Sequence, residues 1–520
     1  MKPLNQIIIG KADAVNYYKG VEKEFLNKTF FNDDKFREIL KKEIFFVLGD
    51  KGTGKTAFAV YTANNETAKL KATLKFTTET DFKKFISLIS TGKITVSDFI
   101  SVWKVILLLL VAKEVKTNLD ESYIGKFFLL QKLDRAINKY YDSAFSPEIT
   151  NAIEIFDKAD VFLDFLKGVN VSTENSEKIK KTGFQINLLE IENEFRKSLA
   201  GIKLRKDFIL FIDGTDQVPF DIKKVNYTEC LRGLANAVWD LNQFVFPEIL
   251  ADDKHYLKIV LLLRPDVFSI IRFHNANAKL KDNTTILNWV ARETYWRNSR
   301  IFKMADNIFS SQQDSRFALG YCWDAYFDKE FEFGQSGNKL FSFVAVLRRT
   351  LMRPRDIFAF LDIMHKEAIN AHSNKITNSI FNNSLPEYSR YLLGEIKDQF
   401  NFFHDDAQWQ AFIDFFKYFN GVPRFTYDYF LSCYDRFIID FPSASPNMFG
   451  NPDTLLQEMY DYNIIGYVEE SAEEEFYKWS YKERSHTNLV PLVRYESEYI
   501  FHIGLFRAIG VGRIIRGGRV

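Results

Sequence analysis

The sequence predicts an α/β core built on a parallel sheet, with a large helical insertion, a helical lid and a C-terminal winged-helix-like domain. Three stretches carry that expectation. Residues 43–60 read EIFFVLGDKGTGKTAFAV: an apolar run stops at Gly49, a glycine-rich loop follows, and a helix-forming segment begins near Gly54. Two later segments, DFILFIDGTDQ (207–217) and YLKIVLLLRPDVF (256–268), are near-continuous apolar runs. Such runs suit parallel strands covered on both faces. Between them YTECLRGLANAVWDLNQFVF reads as an amphipathic helix, which makes the pair a crossover unit.

The elements follow in order. A strand is expected over 44–48, a helix from about 54, and a second strand over 69–76, where KLKATLKF alternates. From about 79 to 205 the periodicity is helical throughout, interrupted by the polar loop NVSTENSEKIKKTG. The strongest apolar run, VWKVILLLLVA (102–112), is broken by Lys104 and closed by Lys113 and Glu114; it is about half a membrane span, so a buried helix is expected. After 270 the chain reads as mainly helical, with RPRDIFAFLDIMHKEAI (353–369) the clearest helix. From about 400, helices alternate with short strands. A helix, a turn and two short strands near the end suggest the winged helix.

With 520 residues the chain exceeds one hydrophobic core. The expected division is a core with its insertion over 1–300, a lid over 301–399, and a C-terminal domain with a basic tail over 400–520. The net charge of +1 gives no global pull toward nucleic acid or acidic membranes, so such a partner must be met by a local patch. The 52 phenylalanines read as core material. Cys230, Cys322 and Cys433 show no metal-ligand spacing, and the start of the chain lacks a signal peptide, which together read as cytoplasmic with no membrane partner.

Gly49-Asp50-Lys51-Gly52-Thr53-Gly54-Lys55-Thr56 fits G-x-x-x-x-G-K-[ST] without a gap. Small residues let backbone N–H groups wrap a phosphate, a lysine reaches its outer oxygens, and a hydroxyl ligates Mg²⁺. The expected ligands are ATP and Mg²⁺, held by Gly49, Lys51, Gly52, Thr53, Gly54, Lys55, Thr56 and Ala57 at a helix N-terminus. Asp213, at the carboxyl end of the FILFID strand, is the expected Mg²⁺ carboxylate with Thr56. Asp216 either orients the attacking water or is a turn carboxylate; Gln217 stands where many such ATPases carry a glutamate. Arg264, closing LLLR, faces a γ-phosphate or is satisfied by Asp266. Pro354 suits a first helical turn, which aims Arg355 back at the phosphates or toward acidic groups of its own domain.

The order of these pieces resembles the AAA+-related ATPases of the STAND, KAP and ORC kinds. FIDGTDQ is similar to the STAND pattern hhhhDG-h-DE, from which Gln217 departs; LLLRPD resembles a sensor-1 strand and RPRDI a sensor-2 arginine. A nearer resemblance is to a poorly characterised bacterial P-loop ATPase family. Its shared stretches are GxKGTGKTA (Gly49 to Ala57), FIDGxD (Phe211 to Asp216), LRPDxF (Leu263 to Phe268), RPRDxxxF (Arg353 to Phe360) and a late YxxxIIGYV-like segment (Tyr460 to Val468). The resemblance implies an α/β P-loop NTPase core, assembly as an oligomer, an arginine supplied in trans, and genes in phage-defence or mobile loci. Arg292, Arg297 and Arg300 are the candidates for that arginine.

Lys55 and Asp213 lie further apart in sequence than a compact core of short βα units needs, so the helical stretch is an insertion: a partner surface or a cover for the sheet. Glu469, Glu470, Glu473, Glu474 and Glu475 in the wing would repel phosphate. Arg507, Arg513, Arg516 and Arg519 in the tail suit either a phosphate backbone or another protomer, or belong to a solvated tail. Three readings therefore stand: an ATPase whose cycle drives a partner or oligomer, a nucleotide-gated switch with little turnover, and a DNA-binding initiator or loader.

Overall fold

A computed structural model describes residues 1–18, 20, 22–77, 99–116, 118, 128, 130–136, 181–215, 224–271, 276–333, 338–442, 446–470 and 475–512. They form two units. One, here the sheet unit, comprises Asp34–Leu48 and Lys55–Ile286; the larger unit comprises Met1–Asp33, Gly49–Gly54 and Leu287–Val520.

The sheet unit contains five parallel strands: β1 (Phe46–Leu48), β2 (Leu70–Phe76), β3 (Asp207–Asp213), β4 (Leu257–Leu263) and β5 (Thr284–Ile286), in the order β2-β3-β4-β1-β5. Around them stand α1 (Lys55–Asn64), α2 (Phe99–Lys116), α3 (Lys181–Leu199), α4 (Lys224–Asp240) and α5 (Pro265–Ile271). The expected α/β core with a parallel sheet is what the chain forms. Every residue of β4 is buried, which accounts for its near-continuous apolar run. That strand nevertheless holds Lys258, whose Nζ donates to the carbonyls of Ile39 and Lys41 at 2.6 Å each and of Ile44 at 3.1 Å. Three acceptors satisfy the three N–H bonds of an ammonium, so the lysine is tolerated in the core.

The strand limits differ from the expectation for local reasons. The run over 256–268 ends at Leu263 because Pro265 opens α5. The run over 207–217 ends at Asp213, since Gly214 turns the chain at φ +90°. The stretch after 270, read as mainly helical, also contains β5, whose three residues are too few to show a period. The apolar run 102–112 lies inside α2, with Val102, Trp103 and Val105 to Ala112 buried, as expected. Trp103 donates its indole N–H to the Cys230 carbonyl at 3.1 Å, and a Cβ on Gly233 of α4 would come 2.5 Å from the Phe99 Cβ. Close approach of α2 and α4 therefore requires that glycine. Lys104, the break in the run, pairs with Asp240 at 2.8 Å. The stretch from β2 to β3, neighbouring strands, is described in part; α2 and α3 are helical as expected. No helix among the described residues is long and apolar enough to cross a membrane.

Among its described residues the larger unit is mainly helical up to residue 400, with a hairpin of β6 (Glu330–Phe333) and β7 (Asn338–Phe341) as a further exception to the helical reading. Its main helices are α6 (Arg300–Ser310), α7 (Pro354–Asn370) and α8 (Asn378–Phe400). The N-terminal segment belongs here because Gln312 exchanges hydrogen bonds with the Ile8 backbone, Tyr326 donates to the Lys2 carbonyl, and His365 meets the Leu4 carbonyl. Beyond 400 come α9 (Asp406–Phe415), β8 (Arg424–Thr426), α10 (Tyr427–Asp440), α11 (Pro452–Asp461), β9 (Ile465–Glu470), β10 (Glu475–Lys478) and β11 (Glu498–Phe501). The strands make an antiparallel sheet in the order β10-β9-β11-β8, larger than the two strands expected. The phenylalanine excess is core here: Phe412, Phe415, Phe416, Phe419, Phe425, Phe430, Phe437 and Phe501 are all buried.

Candidate functional site

In the sheet unit, β3, β4 and β1 are consecutive neighbours, and their carboxyl ends share one edge: Leu48 pairs with Leu263, and Ile212 with Leu261. Asp213 closes β3, Arg264 follows β4, and α1 begins at Lys55. In open α/β sheets this edge is where ligands bind. Thr56 Oγ1 donates to Asp213 Oδ2 at 2.5 Å, so two residues distant in sequence meet. The other carboxylate oxygen, Oδ1, accepts the Gly214 N–H at 2.9 Å. Thr77, next after β2, fixes the Asp213 backbone by donating both its N–H and its hydroxyl to the carbonyl at 2.8 Å. A Cβ on Gly214 would lie 2.3 Å from the Thr77 carbonyl oxygen, so the turn after Asp213 demands glycine. Thr215 then donates to the Leu262 carbonyl at 3.2 Å, and Tyr227 to the Thr215 carbonyl at 2.8 Å.

Asp216 and Gln217 lie outside the described residues. Arg264 is 2% exposed, and its guanidinium forms a two-point pair with Asp266, one contact being Nε to Oδ1 at 3.0 Å. Of the two alternatives the sequence left for Arg264, local pairing with Asp266 is the contact present. Lys55 and Ala57 are half-buried in the first turn of α1.

In the larger unit, the loop Gly49–Gly54 is held from several sides. Gly52 and Gly54 have φ of +88° and +94°. Thr53 bonds back on the loop, its N–H and its hydroxyl both reaching the Asp50 carbonyl, at 3.2 and 2.8 Å. Trp289 donates its indole N–H to the Thr53 carbonyl at 2.8 Å, and Arg484 pairs with Asp50, both side chains being largely buried. Arg355, in the first turn of α7, donates its backbone N–H to the Gly52 carbonyl at 3.1 Å, and a Cβ on Gly52 would come 2.8 Å from the Arg355 Cβ. Pro354 stands at the first position of α7, as expected. That turn is fixed by Arg353 and Asp356, a buried pair with Nε–Oδ2 at 2.9 Å and Nη2–Oδ1 at 2.8 Å; Asp356 also accepts the Leu351 N–H. Burial opposes the charge on Arg353, yet Asp356 beside it holds the guanidinium above its ordinary value.

The Arg355 guanidinium reaches Glu395 of α8 at 3.3 Å, so the acidic-group alternative is the contact present for it. Lys51 of the loop meets Asp398 at 2.5 Å and Glu395 at 3.6 Å. Trp289, Glu395, Asp398 and Arg484 carry no local signal in the sequence. They lie hundreds of residues from the loop, and nothing in local spacing marks a long-range partner. The three arginines proposed as fingers differ. Arg300 pairs with Asp33 and lies 4.2 Å from the Trp289 ring, Arg297 pairs with Asp324 at 2.6 Å, and Arg292 is exposed.

Residues 300–397 match a family described as the FunZ-associated C-terminal helical domain. The match spans α6 to α8 and so includes Arg355 and Glu395. No curated protein and no solved structure matches the chain.

Proposed function

We propose that this chain is a P-loop ATPase that binds ATP with Mg²⁺, hydrolyses it, and couples nucleotide state to conformational change or oligomer assembly. The observation that carries the reading is the Thr56–Asp213 hydrogen bond at the carboxyl edge of the parallel sheet. It joins the hydroxyl of the G-x-x-x-x-G-K-[ST] motif to the strand-end carboxylate that the motif's chemistry needs.

The donor set fits the metal. A hydroxyl and a carboxylate are hard oxygen ligands, and Mg²⁺ takes few protein ligands beside water and phosphate. Thr56 and Asp213 would hold Mg²⁺, which supplies neutralisation of phosphate charge when bound. The residues themselves do the rest: backbone amides of 51–57 bind phosphate oxygens, Lys55 orients the terminal phosphates, and Thr77 with Gly214 fixes the direction of the Asp213 carboxylate. Asp216 is the proposed water-orienting residue. Arg264 and Arg355 are the proposed reporters of the γ-phosphate, each of which has to leave a carboxylate to serve. An arginine from another protomer would complete the site in an oligomer, and phage defence is the proposed setting, on the resemblance to a family found in such loci.

Two other readings remain. The Gln217 departure favours a nucleotide-gated switch with little turnover. The succession α9, β8, α10, α11, β9, β10, β11 follows the order of a winged helix and favours a DNA-binding loader. Against the latter, the wing strands carry Glu469, Glu470 and Glu475, and Arg424 is occupied by Glu475 and Glu498.

The test is steady-state ATP hydrolysis by the purified protein and by Lys55→Ala, with and without duplex DNA. Turnover lost in the variant is the expected result. Stimulation by DNA would favour the loader. Nucleotide binding unchanged in Lys55→Ala would overturn the site.

A further inference from the structure

We infer that Glu395 sets the affinity of the loop for a triphosphate, and its preference over a diphosphate, by competing for the same cations. The inference rests on the ATP-binding reading above and concerns a residue that no motif marks.

Glu395 Oε2 lies 3.3 Å from Arg355 Nη1 and 3.6 Å from Lys51 Nζ, so one carboxylate oxygen serves both cations. Its side chain is 13% exposed, where water and salt screen a pair little. Asp398, one turn further along α8, takes Lys51 at 2.5 Å but is 60% exposed, so its hold is weaker in solution. The cations belong to the loop and to the turn bound to it: Lys51 sits beside Gly52, whose carbonyl accepts the Arg355 N–H. Two positive groups at the loop thus face two negative groups of α8.

A phosphate chain needs the same two cations. A phosphate that draws on the charge of Lys51 or Arg355 meets cations that Glu395 already partly neutralises, and the carboxylate acts as an internal competitor. ATP carries one more negative charge than ADP, so releasing the cations strengthens ATP binding more. Glu395 is a positioning residue in this account; it touches no nucleotide and acts through Lys51 and Arg355. A mere brace would behave otherwise: loosening it would weaken the loop and reduce the affinity for both nucleotides alike.

The experiment measures binding of the fluorescent analogues mant-ATP and mant-ADP, with Mg²⁺ at low salt, to the full chain and to variants whose thermal midpoints are recorded alongside. Glu395→Gln keeps the shape and a hydrogen-bond acceptor but removes the charge. It is expected to tighten mant-ATP binding by roughly threefold to tenfold, and mant-ADP binding by less. Glu395→Asp, with the carboxylate drawn back by one methylene, is expected to fall between, and it serves if the glutamine variant does not fold. The gain should shrink in Arg355→Gln/Glu395→Gln, where one of the two cations competed for is gone, and vanish when Lys51→Gln is added. Equal or weaker mant-ATP binding by the folded Glu395 variants, while binding stays sensitive to Lys55→Ala, overturns this inference alone. Binding that Lys55→Ala leaves unchanged overturns the ATP-site reading, and this inference with it.

Discussion

Asp213 is held from several sides: each carboxylate oxygen accepts a hydrogen bond, from Thr56 and from Gly214, and Thr77 holds its backbone carbonyl twice. A carboxylate so fixed has little left to reorganise when it meets a cation. Asp213→Ala is therefore expected to reduce Mg²⁺-dependent hydrolysis by at least about a hundredfold, while keeping measurable nucleotide binding. Equal turnover in the variant and the parent would show that the metal carboxylate lies on another strand. The strand-end position of Asp213 was legible in sequence because an apolar run precedes it, and a strand-end carboxylate is a local pattern. Glu395 was not. It lies inside an ordinary amphipathic helix, and only the fold brings it to Lys51 and Arg355.

At the scale of elements, the loop and α7 fit through a glycine. Gly52 adopts φ +88°, and the space where its side chain would stand is filled by Arg355. Gly52→Ala must both strain the backbone and push α7 from the loop. It is expected to lower nucleotide affinity at least about tenfold, read in the same binding assay, and an affinity within twofold of the parent would mean that the contact between Gly52 and α7 is dispensable. In the sheet unit, Lys258 is the corresponding polar anchor, joining β4 to the segment that precedes β1. Lys258→Met keeps the stem but leaves the Ile39, Lys41 and Ile44 carbonyls without their donor. A loss of about 2–3 kcal/mol in urea unfolding is expected, and no loss would mean that those carbonyls find other partners. The long strands were legible from their apolar runs and the buried helix α2 from its length. β5 and the β6–β7 hairpin were not, because three or four residues carry too little pattern to outweigh helical neighbours.

At the scale of the whole molecule, the division of the chain could not be read from sequence order. The first 33 residues and the loop at 49–54 belong with Leu287–Val520, where hydrogen bonds reach backbone carbonyls such as those of Leu4 and Gly52. Within that larger unit the helical region before 400 and the antiparallel sheet after it are joined at His502, just past β11. Its backbone N–H reaches the Ile464 carbonyl at 2.8 Å, its Nδ1 accepts the Gly504 N–H at 3.2 Å, and a Cβ on Gly504 would meet the Arg349 carbonyl at 2.1 Å. Burial pushes the imidazole down to about 3, with the positive charge of Lys482 adding to it, and Arg353 and Arg349 acting in the same direction against the Thr350 carbonyl. The sign follows. Between about 3 and 6.5 the unfolded chain binds a proton at this position and the folded chain does not. The stabilisation is complete above about 6.5 and is lost as pH falls toward 3. From pH 7 to pH 5 this one group is expected to remove about 2 kcal/mol of stability. His502→Asn keeps an acceptor for the Gly504 N–H but does not titrate, so its thermal midpoint should fall less over that interval than the parent's. Midpoints that fall in parallel would place the acid sensitivity of the joint in other groups, and His502 would then be a packing residue whose charge never enters.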